Sequence, residues 1–326
     1  MMNEFNLKSP RISVIIPAYN SGKTINETIQ SVLNQTFTNF ELIIINDGSQ
    51  DSTLDIVSQI NDARIKIFSY LNAGGNVSRN RGLKHAVGEF VSFLDADDLW
   101  TPDKLQVQLQ ALQKNTDAKV AYSWTDYIDE HGVIFLSGTH ITANGDVYEK
   151  LLVNNFLENG SNPLIHREAL IELGGFDESL EAAQDWDMWL RLAAKYFFVA
   201  VPTVQILYRV SANSLSSNLV RQEKCCLQVF QRAYKARCIT NQNILHLSFT
   251  NLYKYLTCKA LQKPYNRQKG MAAARFLWKY FINDASRLKR TNFTIKLLFK
   301  IAMIIILPTN ISTRFLASIK TMNQEA

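Results

Sequence analysis

Residues 90–98 read Phe90-Val91-Ser92-Phe93-Leu94-Asp95-Ala96-Asp97-Asp98, an apolar run of strand length that ends in three carboxylates within four residues. Carboxylates this close raise one another's pKa unless positive charge lies between them, and an all-oxygen donor set suits Mg²⁺ or Mn²⁺ rather than zinc. Such an ion would bring phosphates with it. The plainer reading is a loop opened by Asp97 and Asp98, with Thr101 as N-cap and Pro102 as the first residue of the next helix.

Outward from this stretch the chain repeats one plan. Ile12–Pro17 is a buried-strand run, and Ser21 is placed to cap a helix with Ile25, Ile29, Val32 and Leu33 on one face. Phe40–Ile45 is a second strand, followed by Asn46-Asp47-Gly48-Ser49 and a helix from Asp51 to Ile60. A strand at Ile65–Ser69, a helix at Val77–Ala86 and the strand Phe90–Leu94 continue the alternation. Apolar strands alternating with amphipathic helices indicate an α/β fold with a mostly parallel, Rossmann-like sheet flanked by helices. Ligands of such sheets bind beyond the carboxyl ends of the strands, where Tyr19-Asn20, Asn46-Asp47 and Asp95–Asp98 all fall.

Further on, the pattern predicts a helix from Pro102 to Lys114, a strand at Val120–Thr125 and an irregular, variable stretch over Tyr127–Asn159 with a helix near Val147–Asn155. A strand at Pro163–His166, a helix at Arg167–Leu173 and a turn at Gly174–Asp177 lead to a helix at Asp185–Lys195 with Trp186, Trp189, Leu190 and Ala193 at helical spacing. From Ser214 the reading is almost wholly helical.

Charge divides the chain. Residues 1–217 hold 16 Lys and Arg against 26 Asp and Glu, and residues 218–326 hold 19 against 3, so a net −10 precedes a net +16. The expected domains are 1–217, catalytic, and 218–326, basic and helical. A basic region favours anionic surfaces; without an RNA-binding pattern, and with the apolar Leu297–Leu307 behind Arg287, Lys289, Arg290 and Lys296, a membrane face is favoured over nucleic acid. That run is short for a span and fits an interfacial helix, or one docked on protein. The polar start, Met1–Arg11, lacks a signal-peptide core, so a cytoplasmic location, peripheral on the cell membrane, is expected. Cys225, Cys226, Cys238 and Cys258 lack metal-site spacing and read as buried free thiols.

Four blocks in order carry a resemblance: Val14-Ile15-Ile16-Pro17-Ala18-Tyr19-Asn20, Ile45-Asn46-Asp47-Gly48-Ser49, Leu94-Asp95-Ala96-Asp97-Asp98 and Gln184-Asp185-Trp186-Asp187-Met188-Trp189-Leu190-Arg191, with Ser78-Arg79-Asn80 as a fifth. Together they resemble the family 2 inverting glycosyltransferases of the GT-A fold, over Ile12–Ser216. The resemblance implies a nucleotide-diphosphate sugar donor, most often a UDP-sugar, a Mg²⁺ or Mn²⁺ ion, and a glycan or lipid-linked acceptor of polysaccharide, lipopolysaccharide or glycolipid synthesis. It implies a base and ribose pocket of Pro17, Ala18, Tyr19, Asn20, Asp47 and Gly48, with Arg79 on the diphosphate. Asp95 and Ala96 lie nearer the ribose in this scheme, Asp97 is the main metal ligand with Asp95, and Asp98 ligates through water.

Asp185, opening a helix beside Trp186 and Trp189, is the implied general base, with Asp187 a weaker candidate. Two residues depart from the commonest pattern: Gln184 where Glu often precedes the base, and Ser211 where many relatives carry His. Two rival readings remain at this stage. One is a non-catalytic nucleotide-sugar-binding or membrane-assembly protein. The other is a haloacid-dehalogenase-like phosphatase with Asp95 as nucleophile, which Leu99 and the other blocks disfavour.

Overall fold

The structure is a computed structural model that describes residues 9–210, 218–262, 265–283, 291–308 and 311–312. Two compact units emerge, Met1–Leu151 with Asn155–Ser211, and Leu152–Asn154 with Ala212–Ala326.

The first unit is built on a sheet in the order β3-β2-β1-β4-β8-β6-β9-β5. Strands β1 (Ile12–Ala18), β2 (Phe40–Asn46), β3 (Ile65–Ser69) and β4 (Phe90–Phe93) are parallel neighbours, as their nearly unbroken apolar runs predict. β6 (Ala118–Ile128) and β9 (Phe197–Arg209) run parallel to each other; β8 (Leu164–His166) is antiparallel to both β4 and β6, so β6 and β9 share the direction of β1–β4. β5 (Leu99–Trp100) and β7 (Ile134–Ser137) run against it on β9 and β6.

The crossovers are α1 (Ile25–Leu33), α2 (Thr53–Ser58), α3 (Gly75–His85) and α4 (Lys104–Lys114). A core of Ile12, Val14, Ile16, Ile25, Ile29, Leu42, Ile44, Leu105 and Leu109 locks α1 and α4 onto one face of the sheet. Beyond α5 (Tyr148–Val153) and α6 (Arg167–Glu172), α7 (Gln184–Ala193) buries Met188, Trp189 and Leu192.

Several local expectations are corrected. Ser21 does not cap α1: its Oγ donates to the Tyr19 carbonyl at 3.2 Å, and the helix starts at Ile25. Thr101 does not cap α4; its Oγ1 donates to Asp103 Oδ1 at 3.0 Å, and Asp103 is the N-cap. β9 was not foreseen, because Pro202 and register shifts opposite Ser123 and Trp124 break its alternation. Of the four cysteines, all free, Cys225 and Cys226 are buried but Cys238 and Cys258 are exposed.

The second unit holds α8 (Leu219–Ala236), α9 (Gln242–Ala260), α10 (Arg267–Asn283) and α11 (Thr291–Ile306). α11 buries Ile301 and Ile304, the latter packed against Gly270 of α10, and leaves Ile295, Leu298, Phe299 and Ile306 exposed. The short apolar run therefore docks by one face within its own unit and keeps a second apolar face open. No helix among the described residues is long and apolar enough to cross a membrane. Arg287, Lys289 and Arg290 lie outside the described residues.

Candidate active site

The loops after β1 and β2 lie side by side because Ala18 pairs with Asn46 and the Asp47 N–H donates to the Ala18 carbonyl at 2.8 Å. Pro17 and Ala18 end β1, with Ala18 buried and Tyr19 half exposed at 50%. Asn20, in the left-handed region at φ 48°, ties this loop to the next: its N–H donates to Ser49 Oγ (3.1 Å) and its Oδ1 accepts the Gln50 N–H (2.8 Å).

Asp47 is buried beside Gly48, which turns the chain at φ 74°. Its Oδ1 accepts from the Ala73 N–H and from Arg81 Nη1, both at 3.1 Å, and its Oδ2 accepts the Gly74 N–H at 2.8 Å. The carboxylate thus does not cap α2, whose N-cap is Ser52; it holds the loop that leads into α3.

From α3, Arg79 reaches Asp95 in a close ion pair, Nη2 to Oδ1, with its guanidinium 5.5 Å over the Phe176 ring. Asn76 and Asn80, one turn apart, clamp the segment before α7. Asn76 Nδ2 donates to the Asp177 and Leu180 carbonyls (2.8 and 2.9 Å), and Asn80 Oδ1 accepts the Phe176 N–H (2.8 Å). Gly175, at φ 75°, permits this approach, since a Cβ there would lie 2.5 Å from Asn80 Oδ1.

That clamp delivers Asp185. The N-cap of α7 is Ala183, in the left-handed region at φ 56°, and Asp185 Oδ1 accepts the Trp186 N–H at 2.8 Å, one of the free donors of the first turn. Burial raises the Asp185 pKa above the ordinary carboxylate range; the Arg79 guanidinium opposes the rise and the Asp95 carboxylate adds to it. The Arg79–Asp95 pair therefore lies within electrostatic reach of Asp185. Trp186 donates from Nε1 to the Leu151 carbonyl at 2.9 Å, which fixes the apolar wall. Asp187 faces away: it is buried and its Oδ2 accepts from Arg191 Nε at 2.7 Å.

The three aspartates after β4 have different surroundings. The Asp95 backbone N–H donates to Ser161 Oγ (3.0 Å), and its Oδ1 accepts from Arg79 Nη2. The Ala96 carbonyl accepts from Thr24 Oγ1 at 2.8 Å, which anchors the loop to α1. Asp98 is fully buried, with Oδ2 accepting from Ser161 Oγ (2.5 Å) and Oδ1 from the Arg209 N–H (2.9 Å), which sets it apart from the ligand role expected of it. Asp97 accepts no hydrogen bond from another side chain among the described residues, and burial together with the Asp95 charge lifts its pKa to about 6.

A divalent cation fits this donor set through Asp97 and Asp95, because it would offset the burial and the mutual repulsion that lift the Asp97 pKa and that the Arg209 guanidinium opposes only in part. Three protein ligands do not converge: among the described residues no group of three His, Cys, Asp or Glu side chains is arranged to hold a metal. Remaining ligands would be water or diphosphate oxygens, as is usual for Mg²⁺. Ser211 lies outside the described residues.

Sequence reasoning overlooked Arg209, Ser161, Arg81 and Asn76. Arg209 donates from Nε to the Asp97 carbonyl (2.9 Å), from Nη2 to Glu27 Oε2 (2.7 Å) and from Nη1 to the Glu130 carbonyl (3.0 Å), so one guanidinium ties the loop after β4 to α1 and to the turn after β6.

Residues 13–260 match the family described as Glycosyltransferase like family 2. The chain is similar to the UDP-Glc:alpha-D-GlcNAc-diphosphoundecaprenol beta-1,3-glucosyltransferase WfgD of Escherichia coli, at 31% identity over 65% of this chain and 82% of that one. It is similar also to the putative teichuronic acid biosynthesis glycosyltransferase TuaG of Bacillus subtilis, at 35% identity over 64% and 82%. An uncharacterized glycosyltransferase of Rickettsia typhi is 36% identical over 59% of this chain; the match spans 62% of that protein, less than two thirds of its length. Among solved structures, S. aureus TarS 1-349 in complex with UDP-GlcNAc superposes with a TM-score of 0.55 at 19% identity, over 90% of this chain and 81% of that one, a likeness of fold. The match over residues 13–260, most of the chain, makes it a member of glycosyltransferase family 2.

Proposed function

We propose that the protein transfers a sugar from a nucleotide-diphosphate sugar, a UDP-sugar, to an acceptor hydroxyl in cell-surface glycan assembly, with inversion at the anomeric carbon. The observation that supports this reading is geometric: Arg79 of α3 pairs with Asp95 of the Asp-x-Asp loop, while Asn76 and Asn80 of the same helix hold the segment that leads to Asp185. The UDP-glucose and lipid-diphosphate acceptor in the printed name of the E. coli relative support the substrate classes.

In this reading Tyr19 offers its exposed ring to the base, and Asp47 accepts from base or ribose while its loop yields hydrogen bonds to the ligand. Arg79 meets the diphosphate. Asp97 and Asp95 would hold a Mg²⁺ or Mn²⁺ ion, whose charge stabilises the departing nucleoside diphosphate. Asp98 shapes the loop from within. Asp185 Oδ2, opposite the oxygen bound to Trp186, takes the proton from the acceptor hydroxyl as that oxygen attacks. Attack opposite the leaving phosphate gives an α-to-β outcome through one displacement.

Peripheral membrane contact would run through the open faces of α10 and α11, where Trp278, Ile282, Ile295, Leu298 and Phe299 are exposed within a strongly basic region. A panel of UDP-, GDP- and dTDP-sugars assayed with Mn²⁺ for hydrolysis and transfer tests the proposal. Turnover of a UDP-sugar, lost in Asp185→Asn, is expected; phosphate release from simple phosphoesters with no action on any nucleotide sugar would overturn it.

A further inference from the structure

Four of the five non-glycine residues found in the left-handed region among the described residues are Asn20, His140, Glu158 and Ala183. Asn20 and Ala183 shape the donor loop and the entry to Asp185. His140 and Glu158 have no such account, and strain of this kind, about 1–3 kcal/mol per residue, persists where the surroundings impose it.

These two residues close on one place. Glu158 Oε1 accepts the Thr139 N–H at 2.6 Å, and His140 Nε2 meets Asp126 Oδ1 at 2.7 Å. The imidazole stacks on Trp124, ring centroids 4.8 Å apart and planes within 10°. Gly138 lets the loop close, because a Cβ there would lie 2.4 Å from Glu158 Oε2.

The cluster is incomplete as built. Among the described residues the Trp124 indole N–H and Glu158 Oε2 are enclosed without a hydrogen-bond partner, although the Tyr127 hydroxyl acts on the Glu158 carboxylate. Buried polar groups left unpaired are rare and call for a missing partner. Here a donor and an acceptor are both unmet, the combination that hydroxyl groups satisfy. Two residues past Glu158, Gly160 borders the Arg79–Asp95 pair, with its Cβ position 3.5 Å from Arg79 Nη2 and 3.7 Å from Asp95 Oδ2. Two carboxylates make the cluster hostile to phosphate, so its ligand is neutral and rich in hydroxyls.

We propose that Trp124, Asp126, His140 and Glu158 form the subsite for the pyranose ring of the acceptor, next to the donor diphosphate site. This rests on the transferase reading above. The half-buried ring of His140 gives the ligand its edge of access, and the orphaned groups select hydroxyl positions.

The test titrates the UDP-loaded protein with methyl α- and β-pyranosides of glucose, galactose, mannose and N-acetylglucosamine, following tryptophan fluorescence, and uses the same glycosides as acceptors. Glu158→Gln, Trp124→Phe and His140→Asn are compared, with thermal melts to show that each is folded; Asn tolerates the left-handed backbone and keeps a donor for Asp126. Saturable binding of at least one pyranoside is expected, weakened about tenfold or more in Glu158→Gln, with the acceptor KM rising by a similar factor and the donor KM moving less than about twofold.

A rise in donor KM instead would assign the cluster to the donor sugar and overturn the proposal. So would pyranoside binding that is absent, or equal in wild type and all folded variants, as when the orphaned groups enclose only a water. Wild-type protein that binds pyranosides yet transfers no sugar from any nucleotide donor refutes the transferase reading and leaves the subsite standing.

Discussion

The backbone N–H of Arg209 donates to Asp98 Oδ1 at 2.9 Å, so the last residue of β9 holds the loop that follows β4. Asp98→Ala would strand this N–H and the Ser161 hydroxyl in a buried place, and a loss of about 2–4 kcal/mol is expected from urea unfolding. Asp98→Asn keeps an acceptor for Arg209 and should lose less than about 1 kcal/mol. Equal losses in the two variants would contradict the structural role.

Asp185→Asn should lower transfer by about 10²–10⁴-fold while UDP binding, measured by calorimetry, persists. Because burial raises the Asp185 pKa, the acid limb of the kcat/KM profile should lie above the ordinary carboxylate range. Activity falls as pH drops through that pKa, since the protonated acid cannot accept the acceptor's proton. A limb near pH 4 would place the base elsewhere.

Metal affinity should depend on Asp97 above all. Its carboxyl, lifted to about 6, holds a proton that a divalent ion must displace, so Mn²⁺ binding is expected to strengthen as pH rises through about 6. Asp97→Ala should abolish Mn²⁺-dependent UDP binding, whereas Asp98→Asn should leave the Mn²⁺ requirement in place. Calorimetric titration with Mn²⁺ and UDP at pH 5 and pH 7.5 separates these outcomes.

Lys104 is fully buried, with Nζ donating to Ser92 Oγ at 2.5 Å and lying 3.7 Å from the Trp100 ring centroid. No carboxylate pairs with it among the described residues, and burial pushes its pKa well below 10.5. The unfolded chain binds that proton more readily, so wild-type stability should rise with pH between the lowered folded pKa and the ordinary lysine value. Lys104→Met should therefore add about 1–3 kcal/mol at pH 7, a gain that shrinks toward pH 10. A gain that does not vary with pH would show that Lys104 folds uncharged in both states or charged in both.

For membrane contact, Ile295→Ser with Phe299→Ser should reduce flotation with anionic vesicles, because both side chains are exposed on α11. Point changes are cleaner than deleting residues 285–326, which would also remove Ile301 and Ile304 from their packing beside α10. Unchanged flotation would favour a protein partner for this face.

Strand and helix order as far as β4, and the gathering of Tyr19, Asp47 and Asp95 at one sheet edge, were determined by the sequence itself; β5 was not, because two residues carry no periodicity. The physical reason is local: an unbroken apolar run such as Phe40–Ile45 can be buried only inside a covered parallel sheet, and polar residues at its end have one edge to occupy. Tertiary structure decided what three adjacent aspartates do. Asp95 meets Arg79 from α3, the Asp98 carboxylate meets Ser161 and the Arg209 N–H, and Asp97 meets Arg209 only through its backbone carbonyl, though spacing alone made them alike. Arg209 lies 111 residues from Asp98, and no periodicity reports a contact of that range. Asp185 likewise acquires its raised pKa only when Asn76 and Asn80 fold the intervening loop onto α3, because burial and neighbouring charge belong to the assembled site rather than to a motif.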